Sequence, residues 1–560
     1  MKKTTYFHAG LAALSAVPAI QGQAKTDQRP NIIMVLVDDL GFTDLGCYGS
    51  GIETPNLDRL ASEGVRFRQF YNASISAPTR ASVITGQYHH RAGIGYFENS
   101  NLGLPGYQGF LNRESLTFGE VLRQAGYSTL HSGKWDVGME RDQWPNQRGF
   151  DHSFNFRGGA SAYYDVNGED FGLNGTKKPL EFFKDNEPYL LGKGNYLTDV
   201  ITDNAIEFIE NQDKEYQGRK PFFLYLAFNA PHAPLQAPQE VIDKYRGRLA
   251  IGFDSLRQRR YENAQRIGVY PKDNAMAHRD DSLVFWNQLT YDQKEYWQRE
   301  REVFSAMVDR IDQSIGRVLA TLRQLGKDQN TLIVFCSDNG PQGFLQYTGF
   351  GPQIYSKRPE GPVGSPNSSE TPNSNWSQAG TAPLRNYKRS VYEGGIGTPF
   401  IAWLPGRVKA GQIVDGIGHI IDLAPTFYDL AGAKYPTIYE GHQVNPLPGH
   451  SLLPVLEGKT DHVEREEPLF FEREGHRAVR QGRWKYVRDT YAHEDELYDI
   501  VTDRGENVNL ATKHPSIVEE LKAKWHEWAV NNGVVEDFSR IKGGRATWPK
   551  PADFVFDTQY

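Results

Sequence analysis

The chain has 560 residues, too many for one small core, so its size points to two or more domains, one of them large. With 39% hydrophobic and 12% aromatic residues, the composition is that of a globular protein and excludes a disordered one. A formal charge of -7, from 62 basic and 69 acidic residues without a long run of either sign, argues against a nucleic-acid partner. Two cysteines, Cys47 and Cys336, are too few for a disulfide framework, and Cys336 sits in an apolar run where it reads as a buried small hydrophobe.

At the N-terminus, Lys2 and Lys3 precede an apolar stretch over 9–20, followed by small residues at Gly22 and Ala24. This pattern predicts a cleaved export signal over 1–24 and a periplasmic or secreted mature protein. The stretch is too short to span a bilayer, and no later segment is long and apolar enough to do so. Short apolar runs at 32–37, 222–228, 332–335 and 399–404 predict buried parallel strands. Between the first two, Thr54-Pro55 offers a capping hydroxyl and a first-turn proline for a helix with Leu57, Leu60 and Ala61 on one face and Gly64 at its end. A second helix is predicted over 305–325, where Val308, Ile311, Ile315, Val318, Leu322 and Leu325 recur at helical spacing.

Two insertions interrupt this alternation. Residues 254–300 are charged and aromatic, with helical stretches around 256–266 and 291–303. Residues 341–387 are rich in Gly, Pro, Ser and Asn, and read either as a substrate-facing segment or as a loop wandering over the surface. Beyond residue 455 the character changes. Strands near 469–472, 476–480, 484–488 and 496–499 precede a helix over 516–529, which predicts a small α+β domain with an antiparallel sheet. The expected organisation is an α/β domain over 25–455, a large mostly parallel sheet flanked by helices, and an α+β subdomain over 456–560.

The predicted strands end in chemistry. The first runs into Asp38-Asp39, the second into Asn229-Ala230-Pro231-His232, and the third into Ser337-Asp338-Asn339. Open α/β sheets bind ligands beyond the carboxyl ends of their strands, so three strands deliver acids, amides and an imidazole to one rim. Asp38, Asp39, Asp338 and Asn339 are oxygen donors of the kind a hard divalent cation prefers. Taken singly, each also reads as an ordinary turn or helix cap. Zinc is disfavoured because its sites use histidine or cysteine.

Residues 76–80, Ser76-Ala77-Pro78-Thr79-Arg80, with Thr85-Gly86 shortly after, read as a bland or phosphorylatable loop when taken alone. They also resemble the signature of type I sulfatases, [Cys/Ser]-x-Pro-x-Arg. The resemblance extends to Gly133-Lys134-Trp135, to Ala230-Pro231-His232-Ala233-Pro234, and to Lys388 five residues before Glu393-Gly394-Gly395, and so covers essentially the whole mature chain. It implies that Ser76 is oxidised to Cα-formylglycine, whose hydrate is the nucleophile. It implies Ca²⁺ (or Mg²⁺) held by Asp38, Asp39, Ser76, Asp338 and Asn339. Arg80, Lys134 and Lys388 would then neutralise sulfate oxygens, Asp338 would aid the nucleophile, and His232 with Lys388 would protonate the leaving alcohol. A serine-type signature further implies a bacterial host and maturation by an anaerobic, radical-SAM-type oxidase.

Two departures stand out. The family's histidine after Gly-Lys-Trp is here Asp136, which could act as a different base beside the nucleophile, and the family's Gly-Gly-x-Arg appears as Gly395-Ile396-Gly397. The leading expectation is a secreted sulfatase acting on sulfated carbohydrates. A phosphate mono- or diester hydrolase of the same superfamily and a non-catalytic glycan-binding descendant are the alternatives.

Overall fold

The computed structural model describes Met1 and residues 27–98, 100–165, 181–343, 361–489 and 494–536, with backbone alone for the strands Glu169–Phe171 and Lys177–Pro179. The expected export signal over 1–24 lies outside the described residues, Met1 aside, and so does the chain after 536. No helix among the described residues is long and apolar enough to cross a membrane.

Ten strands share the main sheet. They are β1 (Asn31–Val37), β2 (Val65–Tyr71), β3 (Ser128–Lys134), β4 (His152–Phe156), β5 (Phe182–Lys184), β6 (Glu187–Tyr189), β7 (Phe222–Ala227), β8 (Thr331–Ser337), β9 (Phe400–Trp403) and β10 (Gln412–His419). Across the sheet the order is β10-β2-β9-β8-β1-β7-β3-β4-β5-β6. The central run β8-β1-β7-β3-β4 is parallel throughout. Side chains of β1 alternate between two cores, with Ile32, Met34 and Leu36 on one face and Ile33, Val35 and Val37 on the other. Burial on both faces is why the strand reads as an unbroken apolar run.

β9 corrects one expectation. It pairs antiparallel with both β8 and β2 rather than parallel. At the rim where β8 ends, Gly340 N donates to Gly395 O at 3.1 Å and Lys388 N to Pro341 O at 3.2 Å, so the described residues leading into β9 lie beside those leaving β8. A strand entered from the rim just left must run backwards, because only a crossover would restore the parallel direction.

The helix Pro55–Glu63 starts where predicted, but Thr54 does not cap it with its hydroxyl. That hydroxyl donates to Asp58 Oδ1 (3.0 Å) and accepts from Gly46 N (2.9 Å), tying the helix to the preceding turn. The two stretches expected at 291–303 and 305–325 are one helix, Tyr291–Gln324, opened by reciprocal bonds between Thr290 and Gln293. No glycine or proline falls between 291 and 315 to divide it. In the second insertion, residues 344–360 lie outside the described set, whereas 368–384 are buried and include the helix Ser374–Thr381. That part packs into the molecule and does not wander over its surface.

The C-terminal region forms a four-stranded antiparallel sheet, β11 (Leu469–Arg473), β12 (His476–Gln481), β13 (Trp484–Arg488) and β14 (Asp495–Asp499), followed by the helix Pro515–Asn532. Its apolar side is continuous with one core of the main sheet, in a single cluster running from Ile32 and Phe67 to Phe471, Tyr486 and Trp525.

A buried ion network fastens this sheet to the segment that carries Lys388. Lys485 Nζ on β13 lies 2.9 Å from Glu393 Oε1 and 2.8 Å from Glu506 Oε1, while Tyr71 OH (2.9 Å) and Arg504 Nε (3.3 Å) donate to Glu393 Oε2. Removing Lys485 would leave two buried carboxylates short of a partner, so Lys485→Met should destabilise the protein by about 3 kcal/mol or more in urea unfolding.

A second prediction concerns pH. His131 on β3 is enclosed by Trp135, Phe150 and Tyr225, and burial pushes its imidazole down to about 3. An unfolded histidine takes up its proton near pH 6.5 while the folded one stays neutral, so stability rises with pH through that window and is lost on acidification. Between pH 7 and pH 5 the wild type should lose about 2 kcal/mol more than His131→Phe, measured by urea unfolding at both values.

Candidate active site

The register of the central strands brings the chemistry together. Val37 of β1 lies beside Ser337 of β8, so Asp38 and Asp338 leave the sheet side by side, and Asp338 N donates to Val37 O at 3.0 Å. β7 pairs with the other edge of β1 and carries the chain toward His232. β3 pairs with β7 and ends at Lys134. At Gly133 a Cβ would fall 1.9 Å from Ala227 O, so glycine alone permits the approach that seats Lys134.

Ser76 opens the helix Ser76–Thr85, every residue of which is buried, and Gly86 closes it in the left-handed conformation at φ 70°. Arg80 stands four residues on, one turn along the same face, so its guanidinium can reach back to Ser76. The Ser76 hydroxyl is surrounded. It donates to Asp338 Oδ2 at 2.7 Å, and it accepts from Lys134 Nζ at 2.8 Å and from Arg80 Nε at 3.0 Å. Its place at a helix N-terminus adds a favourable field for negative charge.

Around that hydroxyl the ions interlock. Lys134 Nζ also reaches Asp38 Oδ2 (2.5 Å) and Asp136 Oδ2 (3.3 Å), and Arg80 reaches Asp338 Oδ2 (3.0 Å) and Asp38 Oδ2 (3.6 Å). On the far side, Lys388 Nζ lies 2.6 Å from Asp39 Oδ1, which also accepts from Asn339 Nδ2 at 2.6 Å. His232 Nδ1 donates to Ala233 O (2.7 Å), which turns Nε2 toward Asp39 Oδ2 at 3.7 Å. All the residues singled out from the sequence thus fall in one cluster.

Burial and neighbours set the protonation. Burial would lower the Lys134 ammonium, but Asp136 and Asp38 outweigh it and hold the group above its ordinary value. Burial and the Asp38 charge raise the Asp338 carboxyl. Burial lowers the His232 imidazole despite the pull of Asp39.

Buried oxygens at the rim without a hydrogen-bond partner include Asp38 Oδ1, Asp39 Oδ2 and Asn339 Oδ1. Ligand atoms of Asp38, Asp39 and His232 lie within 4.8 Å of one another. Buried carboxylate oxygens without donors are costly unless a cation takes the donors' place, and oxygen donors of this kind suit a hard divalent ion. The residues present therefore fit such an ion. Both oxygens of Asp338 already accept hydrogen bonds, Oδ1 from Asp39 N at 3.2 Å and Oδ2 from Ser76 and Arg80.

One member of the cluster gave no sequence signal. Glu98, in an irregular segment, is buried against Asp136, and burial together with the Asp136 charge pushes its carboxyl well above the usual range. Asp136 itself is held below that range, burial notwithstanding, by Lys134 and Arg80. Asp39 and Asp136 both adopt left-handed backbone, φ 69° and 58°, at a cost on the order of 1 kcal/mol each.

Comparison with known proteins follows this geometry. Residues 30–433 match the family model described as sulfatase, and 386–531 match that described as N-sulphoglucosamine sulphohydrolase, C-terminal. An uncharacterized sulfatase of Schizosaccharomyces pombe is 35% identical over 551 residues, covering 92% of this chain and 96% of that protein. An arylsulfatase of Klebsiella aerogenes is 32% identical over 458 residues, covering 80% of this chain and 96% of its own length. Among solved structures, Ps i-CgsB in complex with k-i-k-neocarrahexaose superposes with a TM-score of 0.65 at 26% identity, covering 91% of this chain and 94% of that one. On these matches the chain belongs to the sulfatase family and is a sulfuric ester hydrolase.

Proposed function

We propose that this sulfatase is an exported enzyme that removes sulfate from carbohydrates, with Ser76 matured to Cα-formylglycine and Ca²⁺ (or Mg²⁺) held by Asp38, Asp39, Asn339, Asp338 and residue 76. The observation that carries this reading is the Ser76 hydroxyl, held at once by Asp338, Lys134 and Arg80 beside three partnerless buried oxygens. The structural relative bound to a neocarrahexaose supports a carbohydrate ester as substrate.

When bound, the ion and the matured side chain supply, respectively, a positive seat for a sulfate oxygen and a gem-diol nucleophile. The chain's own residues do the rest. Asp338, 2.7 Å from the residue-76 oxygen, takes a proton from it. Arg80 and Lys134 fix that oxygen in line and face the sulfate oxygens, where their charges count for more than in water. His232 and Lys388 stand on the Asp39 side and deliver a proton to the departing alcohol oxygen. Asp136 Oδ2, 3.3 Å from Lys134 Nζ, accepts a proton where the family uses histidine. The charges also balance. Four carboxylates (Asp38, Asp39, Asp136, Asp338) face three cations (Arg80, Lys134, Lys388), so a dication and a sulfate ester monoanion together bring the cluster to neutrality.

Hydrolysis of 4-nitrophenyl sulfate by fully matured enzyme, compared with 4-nitrophenyl phosphate and repeated with EDTA, tests the reading. The sulfate ester should be preferred, EDTA should abolish turnover with Ca²⁺ restoring it, and Ser76→Ala should lower kcat by about 10³-fold or more. A peptide containing residue 76 should weigh two hydrogens less than its serine form, and full activity from unmodified protein would refute the maturation step. Asp136→Ala should lower kcat by about 10²-fold or more with little change in KM, and should displace the pH profile. Unchanged turnover in that variant would remove Asp136 from the mechanism.

A further inference from the structure

Beside Lys388 the protein encloses three polar side chains that the chemistry above does not use. Gln342 Oε1, Ser374 Oγ and Asn375 Oδ1 are buried without a hydrogen-bond partner, in residues only 5%, 1% and 6% exposed. Native proteins rarely leave such atoms unmatched, and each unmatched one calls for an explanation. The three belong to one wall. Gln342 follows Asn339 by three residues, and its backbone carbonyl accepts from Ser377 Oγ, one turn into the helix that Ser374 and Asn375 begin. Lys388 N donates to Pro341 O at 3.2 Å, so Tyr387 and Lys388 run alongside this segment. A Cβ at Gly343 would fall 3.1 Å from Ser374 Oγ and 3.0 Å from the Tyr387 ring. Glycine there lets the partnerless hydroxyl and the aromatic ring both close in on this backbone, in the segment that runs beside Lys388.

We propose that Gln342, Ser374 and Asn375 form the wall that recognises the sugar ring from which sulfate is removed, by hydrogen bonds to its free hydroxyl or acetamido groups. This rests on the sulfatase reading and on Lys388 serving the leaving oxygen. The ring bearing that oxygen then lies next to Tyr387 and Lys388, where these side chains stand. Each carboxamide offers a donor and an acceptor side by side, which complements a sugar hydroxyl and an acetamide alike. An aryl leaving group offers neither, so a site built this way discriminates strongly against it.

The test is a ratio. Matured enzyme is assayed on 4-nitrophenyl sulfate and on a panel of hexose and N-acetylhexosamine sulfates, and kcat/KM for the best sugar sulfate is divided by that for the aryl sulfate. Gln342→Leu and Asn375→Leu, which keep volume and remove the amide, should each lower the ratio about tenfold, chiefly through KM of the sugar. Ser374→Ala should lower it in the same direction. A general loss of structure depresses both activities together and leaves the ratio unchanged. A ratio within about twofold of wild type in all three variants therefore overturns the proposal. It falls equally if wild-type enzyme cleaves the aryl sulfate and none of the sugar sulfates. Failure of the wild type on every sulfate ester would instead defeat the sulfatase reading beneath it.

Discussion

Asp38, Asp39, Asp136 and Asp338 are buried within one cluster at the strand ends, and Arg80, Lys134 and Lys388 stand against them. Charges so enclosed cannot rely on water, and each must be held by a neighbour or the fold forfeits several kcal/mol. The remaining negative charge, together with the partnerless oxygens of Asp38, Asp39 and Asn339, makes the rim receptive to a cation and then to an anionic ester. Asp39 and Asp136 enter this cluster from left-handed backbone.

Much of the remaining architecture keeps those charges in register. Parallel pairing of β8, β1, β7 and β3 aligns the strand ends, and close-approach glycines let the flanking segments meet. A Cβ at Gly340, for example, would fall 1.9 Å from Gly394 O. The C-terminal sheet contributes through Lys485, whose bonds to Glu393 and Glu506 anchor the segment leading back to Lys388. Because that sheet also shares an apolar core with the main one, the division into two regions seen in the sequence is a change of topology more than a break in packing.

The carboxylates also put Asp136 in context. A histidine at that position would add a positive or neutral group beside Lys134. An aspartate adds negative charge, which Lys134 and Arg80 oppose, while the neighbouring Glu98 carboxyl is pushed well above its usual range. The position of Glu98 in an irregular segment carries no periodicity or motif.

What the sequence determined alone was local and repetitive. The apolar runs of β1, β7 and β8, the acids at their ends, the helical spacing before Leu325 and the Ser-x-Pro-x-Arg string are each visible within a few residues. Tertiary structure alone decided the rest. The reversal of β9 depends on its pairing with β8 and β2, and the helix Tyr291–Gln324 is buried from Trp297 to Leu322 against elements distant in the chain. Glu98, Gln342, Ser374 and Asn375 acquire meaning only from what surrounds them, since burial without a partner is a property of a place in space and leaves no trace in the order of residues.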